Sequence, residues 1–168
     1  MMELTLYHGS TQIVEHPLVI KGRDHLDFGK GFYLTSYRDQ AQQWALRLKV
    51  LRQANTVWVN KYTLDMDKVL QLGYRYLQMP SYDLEWLNFI AASRHGARPW
   101  SSYDIIEGGV ANDKVVDAVE AYIAGLADVE RTLNKLAYAH PNNQICLLNQ
   151  ELIDTCLVFQ SADEIKEH

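Results

Sequence analysis

The spacing of apolar positions changes period several times along this chain, and each change marks an element. Leu4-Thr5-Leu6-Tyr7-His8 alternates and breaks at Gly9, which predicts a short strand ending at the glycine. Residues 11 to 28 carry Pro17, Gly22 and scattered charges, a loop with room for one short element. Gly31-Phe32-Tyr33-Leu34-Thr35 is aromatic and β-favouring, a second strand. Ser36, with Asp39 three positions on, forms an imperfect capping box that predicts a helix start. Ala41, Trp44, Ala45, Leu48 and Leu51 then recur at helical spacing. Thr56 to Leu64 alternates again and is the longest strand candidate. A second helix is expected from near Ser81 to before Gly96, with Leu84, Leu87 and Ile90 on one face. Tyr103-Asp104-Ile105-Ile106 reads as a strand stopped by Gly108-Gly109. Helical patterns run from Asp113 to Leu126 and from Val129 to Tyr138. Gln144 to Leu148 and Thr155 to Phe159 read as two strands joined by a polar turn.

This order lacks strict strand–helix alternation, so it predicts an α+β protein with a mixed or antiparallel sheet and not a doubly wound one. The 168 residues suffice for one domain spanning 1–168 with one sizeable core. A hydrophobic content of 48% against 22% charged residues argues against disorder. The net charge of −5 advertises no nucleic-acid partner and favours a protein over a nucleic acid as any macromolecular partner. Two cysteines, Cys146 and Cys156, are too few for a secreted disulfide scaffold and read as reduced core residues in a cytoplasmic protein. Neither a signal peptide nor an apolar run of roughly 18 residues is visible, so no membrane partner is expected.

Two segments carry candidate chemistry: Leu6-Tyr7-His8-Gly9-Ser10, and Asp27-Phe28-Gly29-Lys30-Gly31-Phe32-Tyr33-Leu34-Thr35. Together they resemble the NAD-binding signature of the ADP-ribosyltransferase superfamily, on its diphtheria-toxin-like and poly(ADP-ribose) polymerase side. In that signature a His-Gly-Ser or His-Gly-Thr ends one core strand, and a Phe-Gly-Lys-Gly-Ile-Tyr-Phe-type segment forms the next. The chain is similar, over nearly its whole length, to an uncharacterised bacterial family usually assigned to the same superfamily. The resemblance includes Tyr103 to Asp113 and Asn142 to Cys146. It implies a split mixed or antiparallel sheet with flanking helices around an NAD cleft.

The chemistry of these residues agrees with that implication. A nicotinamide carboxamide offers one acceptor and two donors. Gly9 can present its backbone N–H and C=O to it at close range, and the Ser10 hydroxyl can complete the set. The ring of Tyr33 suits stacking on nicotinamide. By resemblance His8 hydrogen-bonds the adenosine ribose. Lys30 would approach the diphosphate from its glycine-flanked bend, and Asn112 and Asp113 would line the same cleft. The third position of the family's site is commonly a Glu that stabilises positive charge as the glycosidic bond opens. Its match here is Gln144, which can hold ribose hydroxyls but carries no charge. Glu107 is the substitute carboxylate that sequence order offers.

Other chemistries find less support. Gly-Lys-Gly lacks the spacing of a nucleotide-triphosphate loop and leads into a strand. The histidines and cysteines show no paired metal-ligand spacing, so no metal is expected. Trp44, Trp58 and Trp86 sit in periodic segments and read as core, whereas Trp100 fits either core or surface. The resulting expectation is a mono-ADP-ribosyltransferase that consumes NAD⁺, with His8, Tyr33 and Gln144 in the catalytic positions. Its acceptor would be a macromolecule, and the resemblance raises a toxin or effector role with an antitoxin partner. The alternatives are an NAD⁺ glycohydrolase, an inactive NAD⁺-binding module and, last, a relative of the RNA 2′-phosphotransferases. His8→Ala or Tyr33→Ala is expected to abolish NAD⁺ binding without unfolding the chain.

Overall fold

A computed structural model describes residues 2–22, 27–111, 113–137 and 142–166, with the side chains of 113 and 114 excepted. Seven strands are present among the described residues: β1 (Glu3–Ser10), β2 (Phe32–Leu34), β3 (Trp58–Asp65), β4 (Tyr76–Met79), β5 (Ile105–Gly108), β6 (Gln144–Leu147) and β7 (Leu157–Glu164). Six α-helices accompany them: α1 (Arg38–Leu51), α2 (Met66–Gln71), α3 (Leu84–Arg94), α4 (Asp113–Ile123), α5 (Val129–Leu136) and α6 (Gln150–Cys156). The strands form two sheets, ordered β1-β3-β7 and β2-β6-β5-β4. The first is antiparallel throughout, and the second is mixed because β4 runs parallel to β5. The α+β class with mixed and antiparallel sheets is therefore present.

Side-chain alternation explains the layering. On β1 and β3, Leu6, Tyr62 and Leu64 point to one face and pack with Phe32, Leu34, Ile105, Ile145 and Leu147 of the second sheet. Val59 points to the opposite face and packs with Ala41 and Ala45 of α1. The second sheet uses the same device. Ile106 and Cys146, on its far face, join Trp86, Leu87, Ile90, Val119 and Leu136 from α3, α4 and α5. Both sheets are thus covered on two faces.

The close fit of α1 on β1 depends on one missing side chain. A Cβ on Gly9 would lie 2.2 Å from the Ala41 carbonyl oxygen and 2.9 Å from the Ala45 nitrogen. The small residues Ala41 and Ala45 at helical spacing, with Gly9 opposite, let the helix backbone settle directly onto the strand.

Three sequence expectations are corrected. Ser36 does not cap α1: the cap position is Tyr37, with no side-chain hydrogen bond. Ser36 instead donates its N–H and its hydroxyl to Asn143 Oδ1, each at 3.0 Å. Thr155 to Phe159 is not the return strand of a hairpin. Asn149 caps α6 by accepting from the Glu151 N–H, α6 runs to Cys156, and β7 then enters the other sheet. Trp44 is not core: it is 38% exposed. Trp86 is fully buried, and both cysteines are buried and unpaired. No helix among the described residues is long and apolar enough to cross a membrane.

Gly9→Ala is expected to destabilise the fold by about 2 kcal/mol through overpacking against α1, lowering Tm by about 4–8 °C. A calorimetric melt within a degree of the parent would contradict this packing account.

Candidate functional site

Among the described residues the two sheets are bridged edge to edge at one residue pair. Tyr7 of β1 and Thr35, just after β2, exchange both backbone hydrogen bonds, Tyr7 N–H to Thr35 O at 2.8 Å and Thr35 N–H to Tyr7 O at 2.9 Å. Beyond this bridge the edges of β1 and β2 part and a cleft of about 1620 Å³ opens. That exceeds the roughly 300–1,000 Å³ of an ordinary small-ligand site and suits a dinucleotide-length ligand. His8, Gly9, Ser10, Tyr33 and Gln144 all line it.

Backbone alternation decides what β1 offers there. Tyr7 directs its N–H and C=O toward β2, so Gly9, two residues on, directs its own to the same side, past the end of the bridge. His8 and Ser10 point their main-chain groups to β3, and the His8 carbonyl also accepts from Asn60 Nδ2 at 3.3 Å. The loop after β1 is held by the same fully buried Asn60, which donates to the Gln12 carbonyl at 3.2 Å and accepts from the Val14 N–H at 2.9 Å. Ser10 Oγ accepts from the Gln12 N–H at 3.2 Å and keeps its own proton to donate.

His8 is fixed by two contacts. Its Nδ1 lies 2.7 Å from the Tyr33 carbonyl oxygen, which can only accept, so the proton sits on Nδ1 and Nε2 is the acceptor. Its ring also packs on Phe32 with centroids 4.4 Å apart. Burial lowers the imidazole pKa to about 4, against the opposing pull of the Tyr33 carbonyl, so the ring is neutral near pH 7. A neutral His8 with Nε2 as acceptor is suited to accept a hydrogen bond from a sugar hydroxyl.

Tyr33 has a second task that the sequence reading did not include. Its hydroxyl donates to the Gly29 carbonyl at 2.6 Å and accepts from the Phe28 N–H at 3.1 Å, closing the glycine-rich loop on itself. Burial pushes the phenol well above its ordinary range, so it stays protonated. Trp100 packs on the same loop: a Cβ on Gly29, whose φ is +92°, would meet the indole at 2.3 Å. Tyr33→Ala therefore removes a loop clasp together with a ring, and His8→Ala is the cleaner probe of the two.

Gln144 opens β6 opposite Gly108 of β5. Its Nε2 donates to the Gly109 carbonyl at 3.3 Å and approaches Asp27 Oδ2 at 3.5 Å, which leaves Oε1 as its accepting end. The preceding Asn-Asn pair is a brace. Asn142 Oδ1 accepts from the Val110 N–H and the Tyr82 hydroxyl, both at 2.8 Å. Asn143 Oδ1 accepts from the Thr35 hydroxyl as well as from Ser36. Asp104 is likewise structural, accepting from the Arg75 N–H at 2.8 Å and Asn149 Nδ2 at 3.1 Å.

Of the remaining sequence candidates, Lys30 and Glu107 are absent from the lining and Asn112 and the Asp113 side chain lie outside the described residues. Glu107 is bonded to the Tyr76 hydroxyl at 2.9 Å and Gln78 Nε2 at 3.2 Å. Asp113 begins α4. The sequence reading passed over three charged residues that reach the cleft near Gln144: Asp27, Arg94 and Glu120. Arg94 links them, Nη2 to Asp27 Oδ1 at 3.2 Å and Nη1 to Glu120 Oε1 at 2.6 Å. No group of His, Cys, Asp and Glu able to hold a metal ion occurs among the described residues.

A model of a family described as a protein of unknown function, DUF3990, matches residues 4–159. The chain belongs to the DUF3990 family. No curated protein and no solved structure matches it. The matched span of this DUF3990 chain contains β2 and β6 entire and all of β1 except Glu3, and with them every cleft residue discussed above.

The half-buried His8 gives the family member a testable pH response. In the unfolded chain the imidazole binds a proton below its ordinary 6.5, while in the folded chain it does so only near 4. The His8 contribution is thus intact above pH 6.5 and is lost as the pH falls toward 4. In urea titrations across that window, His8→Asn is expected to lose less stability than the parent. Equal slopes in the two proteins would show that the imidazole titrates freely.

Proposed function

We propose that this cleft binds NAD⁺ and that the protein is a mono-ADP-ribosyltransferase built on an ADP-ribosyltransferase-like split sheet. The observation that carries the reading is the position of Gly9. Its N–H and C=O, the complement of a carboxamide, sit at a parted sheet edge in a cleft that Ser10 and Tyr33 also line. Nicotinamide would pair with Gly9 and Ser10 and lie on Tyr33. The adenosine ribose would donate to His8 Nε2, and Gln144 Oε1 would accept from the nicotinamide ribose.

In the reaction the bond from ribose C1′ to the nicotinamide nitrogen breaks with both electrons going to nitrogen, releasing neutral nicotinamide. The positive charge passes to the ribose. A nucleophile on a macromolecular acceptor then forms the new bond at C1′ and loses its proton to solvent. The acidic net charge favours a protein acceptor. The neutral amide of Gln144 is compatible with binding without turnover, and water in place of the macromolecular acceptor would give hydrolysis of NAD⁺.

The test combines calorimetric NAD⁺ binding with incubation of radiolabelled NAD⁺ and whole-cell lysate. His8→Ala is expected to weaken NAD⁺ binding by about 10-fold or more, the value of about one buried hydrogen bond, while still unfolding in one cooperative transition. Label on a nuclease-resistant, protease-sensitive acceptor would establish protein transfer. Nicotinamide release without label would indicate the glycohydrolase. Absence of NAD⁺ binding by the parent protein would refute the reading.

A further inference from the structure

We infer that Asp27 is the carboxylate of this site, a catalytic residue that stabilises the positive charge appearing on the ribose; the inference rests on the NAD⁺ reading of the cleft. Sequence order pointed to β6 for this charge and found a glutamine. The fold brings a carboxylate to the same place from a different segment, 117 positions away in sequence.

Position is the first argument. Asp27 immediately precedes Phe28, which is fully buried against Phe89 and Gly108, and Phe28 is also tied by its N–H to the Tyr33 hydroxyl. The aspartate is therefore anchored between the proposed nicotinamide platform and Gln144. It lines the cleft, yet its side chain is only 14% exposed. A carboxylate so enclosed acts through less water than a surface one, which strengthens its effect on a nearby cation.

Charge and hydrogen-bond capacity are the second. Oδ1 is held by Arg94, whereas among the described residues Oδ2 meets only the long 3.5 Å approach of Gln144 and retains accepting capacity. Arg94 lies between two carboxylates, Asp27 and Glu120, so the group carries one negative charge in excess. Arg94 is then a positioning residue that holds Asp27 Oδ1 and so aims its carboxylate. When the C1′–nitrogen bond breaks and its electron pair leaves with nicotinamide, Oδ2 faces the cation without bonding to it. The incoming nucleophile closes the valence, and its proton goes to solvent.

The experiment measures NAD⁺ affinity by calorimetry and nicotinamide release by chromatography, on the full chain, for the parent, Asp27→Asn and the double variant Asp27→Asn with Gln144→Glu. Asparagine keeps the shape and a carbonyl oxygen for Arg94 while removing the charge. Expected are an NAD⁺ Kd within about threefold of the parent, release slowed by about 100-fold, and recovery of at least about tenfold in the double variant. If Asp27→Asn fails to give a cooperative melt, Asp27→Ser carries the same comparison. Release by the charge-free variant within about threefold of the parent would overturn the role of Asp27 and leave the NAD⁺ cleft standing. A parent protein that binds NAD⁺ but never releases nicotinamide would do the same. Failure of the parent to bind NAD⁺ would instead remove the reading on which the inference rests.

Discussion

Everything in the cleft depends on two sheet edges being joined for one residue pair and then parting. The exchange of hydrogen bonds between Tyr7 and Thr35 fixes the hinge line of the two sheets. Because backbone groups alternate along a strand, it also fixes which residue of β1 faces the gap, namely Gly9. Had the edges stayed paired for two more residues, the Gly9 amide would have been spent inside a ladder. Had they not met, β1 and β2 would have no shared register to place His8 against the Tyr33 carbonyl. The bridge is in turn steadied from the far side. The side chain of Asn143 gathers the Thr35 hydroxyl and both donors of Ser36, so β6, which carries Gln144, is tied to the residue that forms the bridge.

The same economy governs the glycine-rich loop. A flexible loop would leave Asp27 and Tyr33 free to adopt many orientations, and ordering them on ligand binding would weaken affinity. Here the Tyr33 hydroxyl, the Trp100 indole on Gly29 and the buried Phe28 ring hold the loop at three points. A residue assigned to bind ligand thus spends its polar atom on its own backbone and has only its ring to offer the cleft. This division of labour within one side chain separates hydroxyl from ring chemistry at position 33.

Much of the architecture was legible because it rests on period. β1, β3, β5, β6, α1 and α3 follow from alternation or helical spacing in a contiguous run. The elements that escaped are short. α2 and α6 have six and seven residues and are announced only by Asp65 and Asn149 caps, too little sequence for a 3.6-residue period to assert itself. β4 has four residues and no alternation of burial until Met79. In the cleft, His8, Gly9, Ser10 and Tyr33 were legible as neighbours in compact motifs. Asp27 was in plain view inside one of those motifs and passed unremarked, because its meaning comes from Arg94 and Gln144, residues that only the folded chain places beside it.

The glycines show why a motif alone is an ambiguous witness. Gly9 is required by the α1 backbone, Gly31 by the Cys146 sulfur and the Leu147 carbonyl, and Gly109 by the Tyr82 ring, each of which would lie within 2.6 Å of an added Cβ. Packing by itself would therefore retain all three, whether or not any ligand approached. What packing does not explain is the set of polar residues that line one gap with bonding capacity to spare: Gly9, Ser10, His8, Gln144 and Asp27. A scaffold gains nothing by directing a neutral acceptor nitrogen, an amide oxygen and an incompletely bonded carboxylate at a common space, since each gives up solvation there. Convergence of unspent polar capacity, and not the glycine signature, is the physical argument for a ligand.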